Sequence, residues 1–334
     1  MKALVLNQNS YGFEVREIQR PQVRDFHVLI RVKAAAINHH ELWTITEKQL
    51  KSDSEIILGS DGSGIIEEVG NGVKRFRVGD EVIINPSINW GSGKRVQSRN
   101  FEILGFPTRG TFSEYLMISE QYVHHKPTHL SFQEAAALPL AGLTAYRALF
   151  TRGELEAGNT VLITGIGGGA ALFALNFAVA AGADVYVTSG NSDKISRAVE
   201  LGAKGGANYR EKTWGSQLQA MADGFDVIVD SAAGKGFRVL TELCRPGGRI
   251  ALFGRTAGPI AELNPKTIFW KQLSIHGTTM GTNPEFKKMT ALVAGKKIYP
   301  VIDSVFPGSD LNAAFGKMAK GEQFGKIVIN MEEL

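Results

Sequence analysis

Residues 160–171 read TVLITGIGGGAA, and this stretch limits the fold more tightly than any other. An apolar strand, predicted over Thr160–Thr164, runs directly into a glycine loop, Gly165–Gly169, and then into a helix of small residues, Ala170–Ala181. Small residues let a backbone come close to a ligand. The helix N-terminus that follows offers free N–H groups and partial positive charge to an anion. A glycine pattern alone is weak evidence. A second strand predicted over Asp184–Ser189, about 20 residues on, gives it the setting of a dinucleotide-binding βαβ unit. Alanine, Ala170 or Ala171 according to register, takes the third glycine position of that fingerprint, which serves helix–strand packing. A structural βα turn without a ligand is the alternative.

The alternation continues with a helix over Asp193–Leu201, a further edge at Lys204–Asn208 and buried strands at Phe225–Asp230 and Arg249–Phe253. This order predicts a parallel, doubly wound sheet. Ahead of it, Ser131-Phe-Gln-Glu134 is a capping-box pattern opening an Ala/Leu helix, and a second helix is predicted over Gly142–Phe150. The first third is β-rich instead. Lys2–Leu6, His27–Ala35, Gly64–Val69 and Glu81–Ile84 are short apolar or alternating runs between turn residues, Asn71-Gly72 among them, as in a compact barrel-like domain. Pro86–Pro107 reads as an irregular polar excursion. The tail beyond about Ala261 is mixed and ends in a strand over Lys326–Asn330.

The end of the Asp184–Ser189 strand bears on cofactor choice. An NAD site usually carries Asp or Glu there for the ribose 2′-hydroxyl. Ser189 takes that place, so no carboxylate repels a 2′-phosphate, and Ser189, Asn191 and Lys194 could donate to one. This favours NADP (NADPH). Asp193 reads as a first-turn helix charge, and Lys194 could equally be an exposed helix residue. The net charge of +4, from 37 Lys and Arg against 33 Asp and Glu, includes no run of five or more basic residues, which argues against a nucleic-acid tract. The lone Cys244 excludes an intrachain disulfide and a cysteine-based metal cluster, and fits a reducing cytoplasm. The apolar run at the N-terminus is too short for a signal peptide, and Ala170–Ala183 falls short of the roughly 20 residues of a membrane span. A cytoplasmic protein with neither membrane nor nucleic acid as partner is expected.

Gly59-Ser-Asp-Gly-Ser-Gly64, Val78-Gly-Asp-Glu-Val82, Ala135-Ala-Ala-Leu-Pro-Leu140, the Gly165 loop, Leu201-Gly-Ala203, Asn208-Tyr-Arg210, Pro246-Gly-Gly-Arg249 and Gly325-Lys326 follow one another along the chain. That is the order seen in medium-chain dehydrogenases/reductases, which the chain resembles over nearly its whole length. The resemblance covers both the zinc-type alcohol dehydrogenase and the quinone-oxidoreductase branches. It implies an α/β fold with a GroES-like β-barrel domain, 1–125 and 261–334, an inserted Rossmann domain, 126–260, and an active site in the cleft between them. The zinc branch would place Cys at Asn38, His-Glu at Ser60-Asp61, Cys near Leu140 and four cysteines within Asn89–Phe101. None of those sulfur or imidazole ligands is present, and one Asp cannot supply a tetrahedral zinc site, so no metal is expected. An improvised site from His39, His40 and Asp61 stays open, although adjacent histidines on an extended segment point to opposite faces.

The quinone-oxidoreductase branch fits better. It implies that Asn38 faces the nicotinamide and substrate, that Gly190 and Lys194 belong to a 2′-phosphate loop, and that Tyr209 stacks near the adenosine phosphate. It puts Thr144 near the nicotinamide carboxamide, and Phe253, Gly254 and Lys326 at cleft-lining positions. With Gly165, Gly168 and Gly169, these are the expected cofactor contacts. Trp43 departs from a Tyr found in some members, which leaves the proton donor open. Plainer readings stand beside these: Thr144 could satisfy a helix carbonyl, Tyr209 could be a rim aromatic and Asn38 could hold a turn.

Without zinc there is no Lewis acid to polarise an alcohol or aldehyde oxygen, whereas a quinone or conjugated carbonyl needs less help. The expected function is NADPH-dependent reduction of quinones or α,β-unsaturated carbonyls. Asn38 would hydrogen-bond the substrate oxygen or the ribose, and solvent or a side chain such as His40 would deliver the proton. The alternatives are an alcohol dehydrogenase with an atypical metal, and a nucleotide-sensing or RNA-binding protein, for which no aromatic-plus-basic reader signature is visible. By family analogy, a homodimer or dimer of dimers would pair the candidate edge strand Gln272–Thr278.

Overall fold

The computed structural model describes residues 1–46, 50 and 55–334. The chain forms two units, Met1–Ala141 with Gly281–Leu334, and Gly142–Met280. Both boundaries fall later than the expected 125/126 and 260/261, and the packing explains why. The capped helix Phe132–Ala137 buries Ala136 and Ala137 against Ala34, Ala36 and Val328 of the first unit. At the other boundary, Ser274–Gly277 pairs in parallel with Cys244–Leu252, so it belongs to the second unit's sheet.

In the first unit, seven strands form one sheet. His27–Ala36 is its hub. It pairs antiparallel with Asp61–Val69, with Tyr115–Ser119 and with the C-terminal strand Lys326–Asn330. Its sequence HVLIRVKAAA leaves Arg31 exposed and buries most of the rest, as a strand flanked on both sides requires. The tail joins this core through aromatic packing as well as pairing. Phe315 of the helix Leu311–Lys320 stacks on Phe13 at 5.2 Å between ring centroids, and both meet Phe112 edge-on. Asn312 closes the contact, accepting from the Phe13 amide and donating to the Phe13 carbonyl. The Pro86–Pro107 excursion carries a short antiparallel pair, Ser87–Ile88 with Glu102–Ile103, which its polar composition did not announce.

The second unit is built on a six-stranded, all-parallel sheet. Its spatial order is Gly205–Asn208, Asp184–Ser189, Thr160–Ile163, Phe225–Asp230, Cys244–Leu252, Ser274–Gly277. In chain order that is 3-2-1-4-5-6, the doubly wound arrangement in which the winding reverses beside the first strand. The helix Gly169–Ala180 is apolar on every side and largely buried. The second predicted helix runs Pro139–Tyr146 and continues as a π-helical turn, Arg147–Arg152. Among the described residues, no helix is long and apolar enough to cross a membrane.

One buried titratable group in the first unit ties its elements together. His124, on the strand Val123–His125, is 9 % exposed, packs on Phe286 at 4.6 Å and hydrogen-bonds Asn283 at 2.8 Å. Burial is the main cause pushing this imidazole down from its ordinary 6.5 to about 4, and Arg75, Lys287 and His125 add to the shift while Asn283 opposes it. Between those two values the unfolded chain takes up a proton that the folded unit refuses, so stability falls as pH drops through that window. We expect urea unfolding at about pH 4.5 to give a stability lower than at about pH 7, with His124 contributing on the order of 2–3 kcal/mol of the loss. His124→Gln should flatten that part of the slope; an unchanged slope would show that His124 titrates normally.

Candidate functional site

Three adjacent strands bring one cluster together in the first unit. Ala36, the last residue of His27–Ala36, is paired with Asp61 on one side and Val328 on the other. Asn38 follows two residues later, and Lys326 opens the strand that carries Val328. Lys326 Nζ donates to the Ile37 carbonyl at 3.0 Å, to Asn38 Oδ1 at 2.6 Å and to Asp61 Oδ2 at 2.8 Å. Asn38 Nδ2 donates to the same carboxylate oxygen at 3.0 Å, and the Leu140 amide donates to Asp61 Oδ1 at 2.7 Å. Asn38, Asp61 and Lys326 are all buried, Asp61 completely. That burial pushes the Asp61 carboxyl above its ordinary range, and the Lys326 ammonium and the Leu140 amide pull it back.

Glu41 supports this cluster from behind. Its buried carboxylate accepts from the Asn38 amide at 2.7 Å and from the Ser60 amide at 2.9 Å, stapling the two segments that carry Asn38 and Asp61. The sequence held the signal in Asn38-His-His-Glu41, a cap residue followed three later by Glu. Ser60 Oγ is buried with no hydrogen-bond partner among the described residues.

The histidines sit differently from expectation. His39 and His40 do not lie on an extended segment; they open the helix His39–Thr46, and so diverge by the helical turn. His39 is the one that feels Lys326: burial first, and then that ammonium, lower its pKa. His40 is half-buried, and its carbonyl accepts from Thr44 Oγ1. Among the described residues, no group of three or more His, Cys, Asp or Glu could hold a metal ion. Zinc does not fit the Asn38–Asp61 pocket either, since an ammonium already bridges those two side chains and a second cation would meet it at close range.

In the second unit, the strand Thr160–Ile163 leads into the glycine loop. Gly165 and Gly167 have positive φ, +67° and +119°. A Cβ at Gly167 would lie 2.8 Å from Lys194 Cδ, so the lysine side chain crosses the loop at that residue. Gly168 caps the helix that begins at Gly169. Ser189, at the end of its strand, is buried; its Oγ accepts from the Asn191 amide and lies 3.5 Å from the Ile166 carbonyl. Its hydroxyl thus shapes the turn. Asn191 caps the helix Ser192–Glu200 through the Asp193 amide, and Asp193 is the first-turn acid expected. Tyr209 Oη and Arg210 Nε close over Gly190, where a Cβ would stand 2.7 Å and 3.0 Å from them. The sequence reading had named Tyr209 and passed over Arg210.

Comparison with known proteins follows this geometry. Residues 24–128 match the family described as alcohol dehydrogenase GroES-like domain, and residues 169–295 match zinc-binding dehydrogenase. The zinc-type alcohol dehydrogenase-like protein YogA of Leptosphaeria maculans is 33% identical over 341 residues, covering 96% of this chain and 95% of that protein. The chain belongs to the medium-chain dehydrogenase/reductase superfamily. The quinone oxidoreductase of Homo sapiens is 29% identical over 94% of this chain and 92% of its own length. A crystal structure of an NAD-dependent alcohol dehydrogenase superposes with a TM-score of 0.91 at 32% identity, covering 99% of both chains. The fold is thus the superfamily's pairing of a GroES-like domain with a Rossmann-type parallel sheet, and the chain is an oxidoreductase.

The remaining superfamily positions fall as follows. Thr144 is buried in the helix Pro139–Tyr146. Phe253 and Gly254 follow the strand Cys244–Leu252, with the Phe253 amide bonded to the Asp230 carbonyl; a Cβ at Gly254 would collide with the Ser231 carbonyl at 2.1 Å. The Glu41 staple gives a direct test. Glu41→Gln replaces one of two charge-assisted acceptors by an amide that cannot accept from both N–H groups. A loss of about 2–4 kcal/mol in urea unfolding is expected. A loss below about 0.5 kcal/mol would mean the carboxylate does not hold the two segments together.

Proposed function

We propose that this oxidoreductase uses NADPH to reduce quinones or α,β-unsaturated and other activated carbonyls by hydride transfer, without zinc. The observation that carries the reading is Lys326, whose ammonium bridges Asn38 and Asp61 where the zinc branch would gather metal ligands. Likeness to the human quinone oxidoreductase supports it. The glycine loop fits a dinucleotide, because its positive-φ backbone leads into a helix N-terminus and Lys194 crosses it at Gly167. When bound, the reduced nicotinamide supplies the hydride. Gly165, Gly168 and Gly169 would hold the pyrophosphate. Gly190, Asn191, Lys194, Tyr209 and Arg210 would hold the adenosine end, with the buried Ser189 setting the turn in place of an acid. Thr144, Phe253 and Gly254 would line the nicotinamide end. Asn38 hydrogen-bonds the substrate oxygen, and solvent or His40 returns the proton.

The preference for NADPH rests on two cations and a missing carboxylate, against a structural relative described as NAD-dependent. An alcohol dehydrogenase acting on aldehydes or ketones is therefore the second reading, favoured by that relative. A cytoplasmic homodimer, or dimer of dimers, joined along Ser274–Gly277 completes the proposal; that strand is paired on one side only among the described residues.

Titration of the purified, metal-analysed protein by cofactor fluorescence should give tighter binding of NADPH than NADH and no stoichiometric zinc. Lys194→Ala and Arg210→Ala should each weaken NADPH by roughly 10–100-fold and leave NADH nearly unchanged, as loss of a charge-assisted contact to the 2′-phosphate implies. NADPH should be consumed with 9,10-phenanthrenequinone or 2-alkenals. Tighter NADH binding, stoichiometric zinc, or no turnover of any of these acceptors would move the assignment to the alcohol dehydrogenase reading.

A further inference from the structure

The buried cluster fixes more than the position of Asn38; it fixes which end of the carboxamide faces which partner. An ammonium has three donors and no acceptor, so the Asn38 atom 2.6 Å from Lys326 Nζ is its oxygen. The atom 3.0 Å from the Asp61 carboxylate is then its nitrogen. Lys326 has spent all three donors, on Ile37, Asn38 and Asp61. Asp61 Oδ1 is held by the Leu140 amide and Oδ2 by Lys326 and Asn38. The Asn38 backbone amide is held by Glu41. Among the described residues, the second N–H of the Asn38 carboxamide has no partner.

We propose that Lys326 and Asp61 are positioning residues that lock the Asn38 carboxamide in one orientation, with its oxygen turned to Lys326 and its second N–H left for the ligand. The site is therefore set to donate to the oxygen of a carbonyl or a quinone. This rests on the reading that Asn38 touches the substrate. Without the lysine the amide could turn over and present its oxygen, which would repel the oxygen on which negative charge gathers during reduction. The lock needs two partners of opposite character, one that only donates and one that accepts, and the fold supplies them from strands far apart in the sequence.

The test uses the full chain in four forms: wild type, Lys326→Arg, Lys326→Met, and the double variant Lys326→Met with Asp61→Asn. The double variant removes both buried charges together, which avoids leaving one of them unpaired in the interior. The first readout needs no cofactor or substrate. In protein labelled with ¹⁵N at asparagine, one of the two Asn38 side-chain protons should exchange with solvent much more slowly than the other, because it is bonded to Asp61. The pattern should persist in Lys326→Arg and collapse in the double variant. The second readout is steady-state reduction of 9,10-phenanthrenequinone. At saturating NADPH the double variant should lose roughly 10–100-fold in kcat, and Lys326→Arg should recover most of the loss. An Asn38 signature unchanged in the folded double variant overturns the proposal. So does a kcat that survives the double substitution, or Lys326→Arg behaving no better than the double variant. If wild type reduces no carbonyl, the functional reading fails on its own, and the nuclear magnetic resonance measurement still decides whether the amide is locked.

Discussion

The buried ion pair between Lys326 and Asp61 is the constraint on which the first unit turns. Two charges removed from water carry a desolvation cost that their attraction alone often fails to offset. Such a pair persists when every remaining donor and acceptor is satisfied, and here the strands are arranged to do that. The Ile37 carbonyl, the Asn38 oxygen and the Leu140 amide complete the set. The pair also joins the C-terminal strand to the N-terminal sheet, because Lys326 and Asp61 flank the end of His27–Ala36 on its two sides. Removing one partner would strand the other in a low-dielectric interior.

The second unit answers a different demand, a backbone surface for an anion, with a related device. Asp230 ends the strand Phe225–Asp230 beside the glycine loop. It accepts from Thr164 Oγ1 at 2.5 Å and from the Ala232 and Ala233 amides. Burial pushes this carboxyl up, and those donors pull it back. Its role is to fix the carboxyl ends of two neighbouring parallel strands, Thr160–Ile163 and Phe225–Asp230, at the point where the winding reverses. Ligands of doubly wound sheets bind at such a point. In each unit, then, a buried aspartate holds strand ends in register next to the residues expected to meet a ligand.

Much of this was legible in the sequence, and the reason is local. The strand–glycine–helix run at Thr160–Ala181, the apolar run along His27–Ala35 and the capping box at Ser131 are patterns whose physics acts within a few residues. Each appears in the structure close to its expected bounds. The absence of cysteine and histidine at Asn38, Ser60 and Leu140 was equally plain. What was not legible depends on distance. The resemblance puts Lys326 at a cleft-lining position, but not in an ion pair: it is 288 residues from Asn38 and 265 from Asp61, and a lysine that opens a strand carries no mark of burial. The role of Glu41 is legible only in part: its spacing from Asn38 is a capping signal, but adjacent histidines suggest an extended segment where the chain turns into the helix His39–Thr46. Arg210 was passed over because nothing local shows that the residue after Tyr209 turns back over Gly190.

Exchanging metal ligands for a fixed amide changes what a site can ask of its substrate. A metal ion acts as a Lewis acid toward whichever oxygen reaches it and can draw a proton from a bound alcohol. A carboxamide held by Lys326 and Asp61 can do neither. It can place one donor at a fixed point, and such a donor helps most when the incoming negative charge is already spread over a conjugated system. Asn38 alone, free to rotate, would be a weak and ambiguous contact. Clamped between an ammonium and a carboxylate, it has a defined polarity.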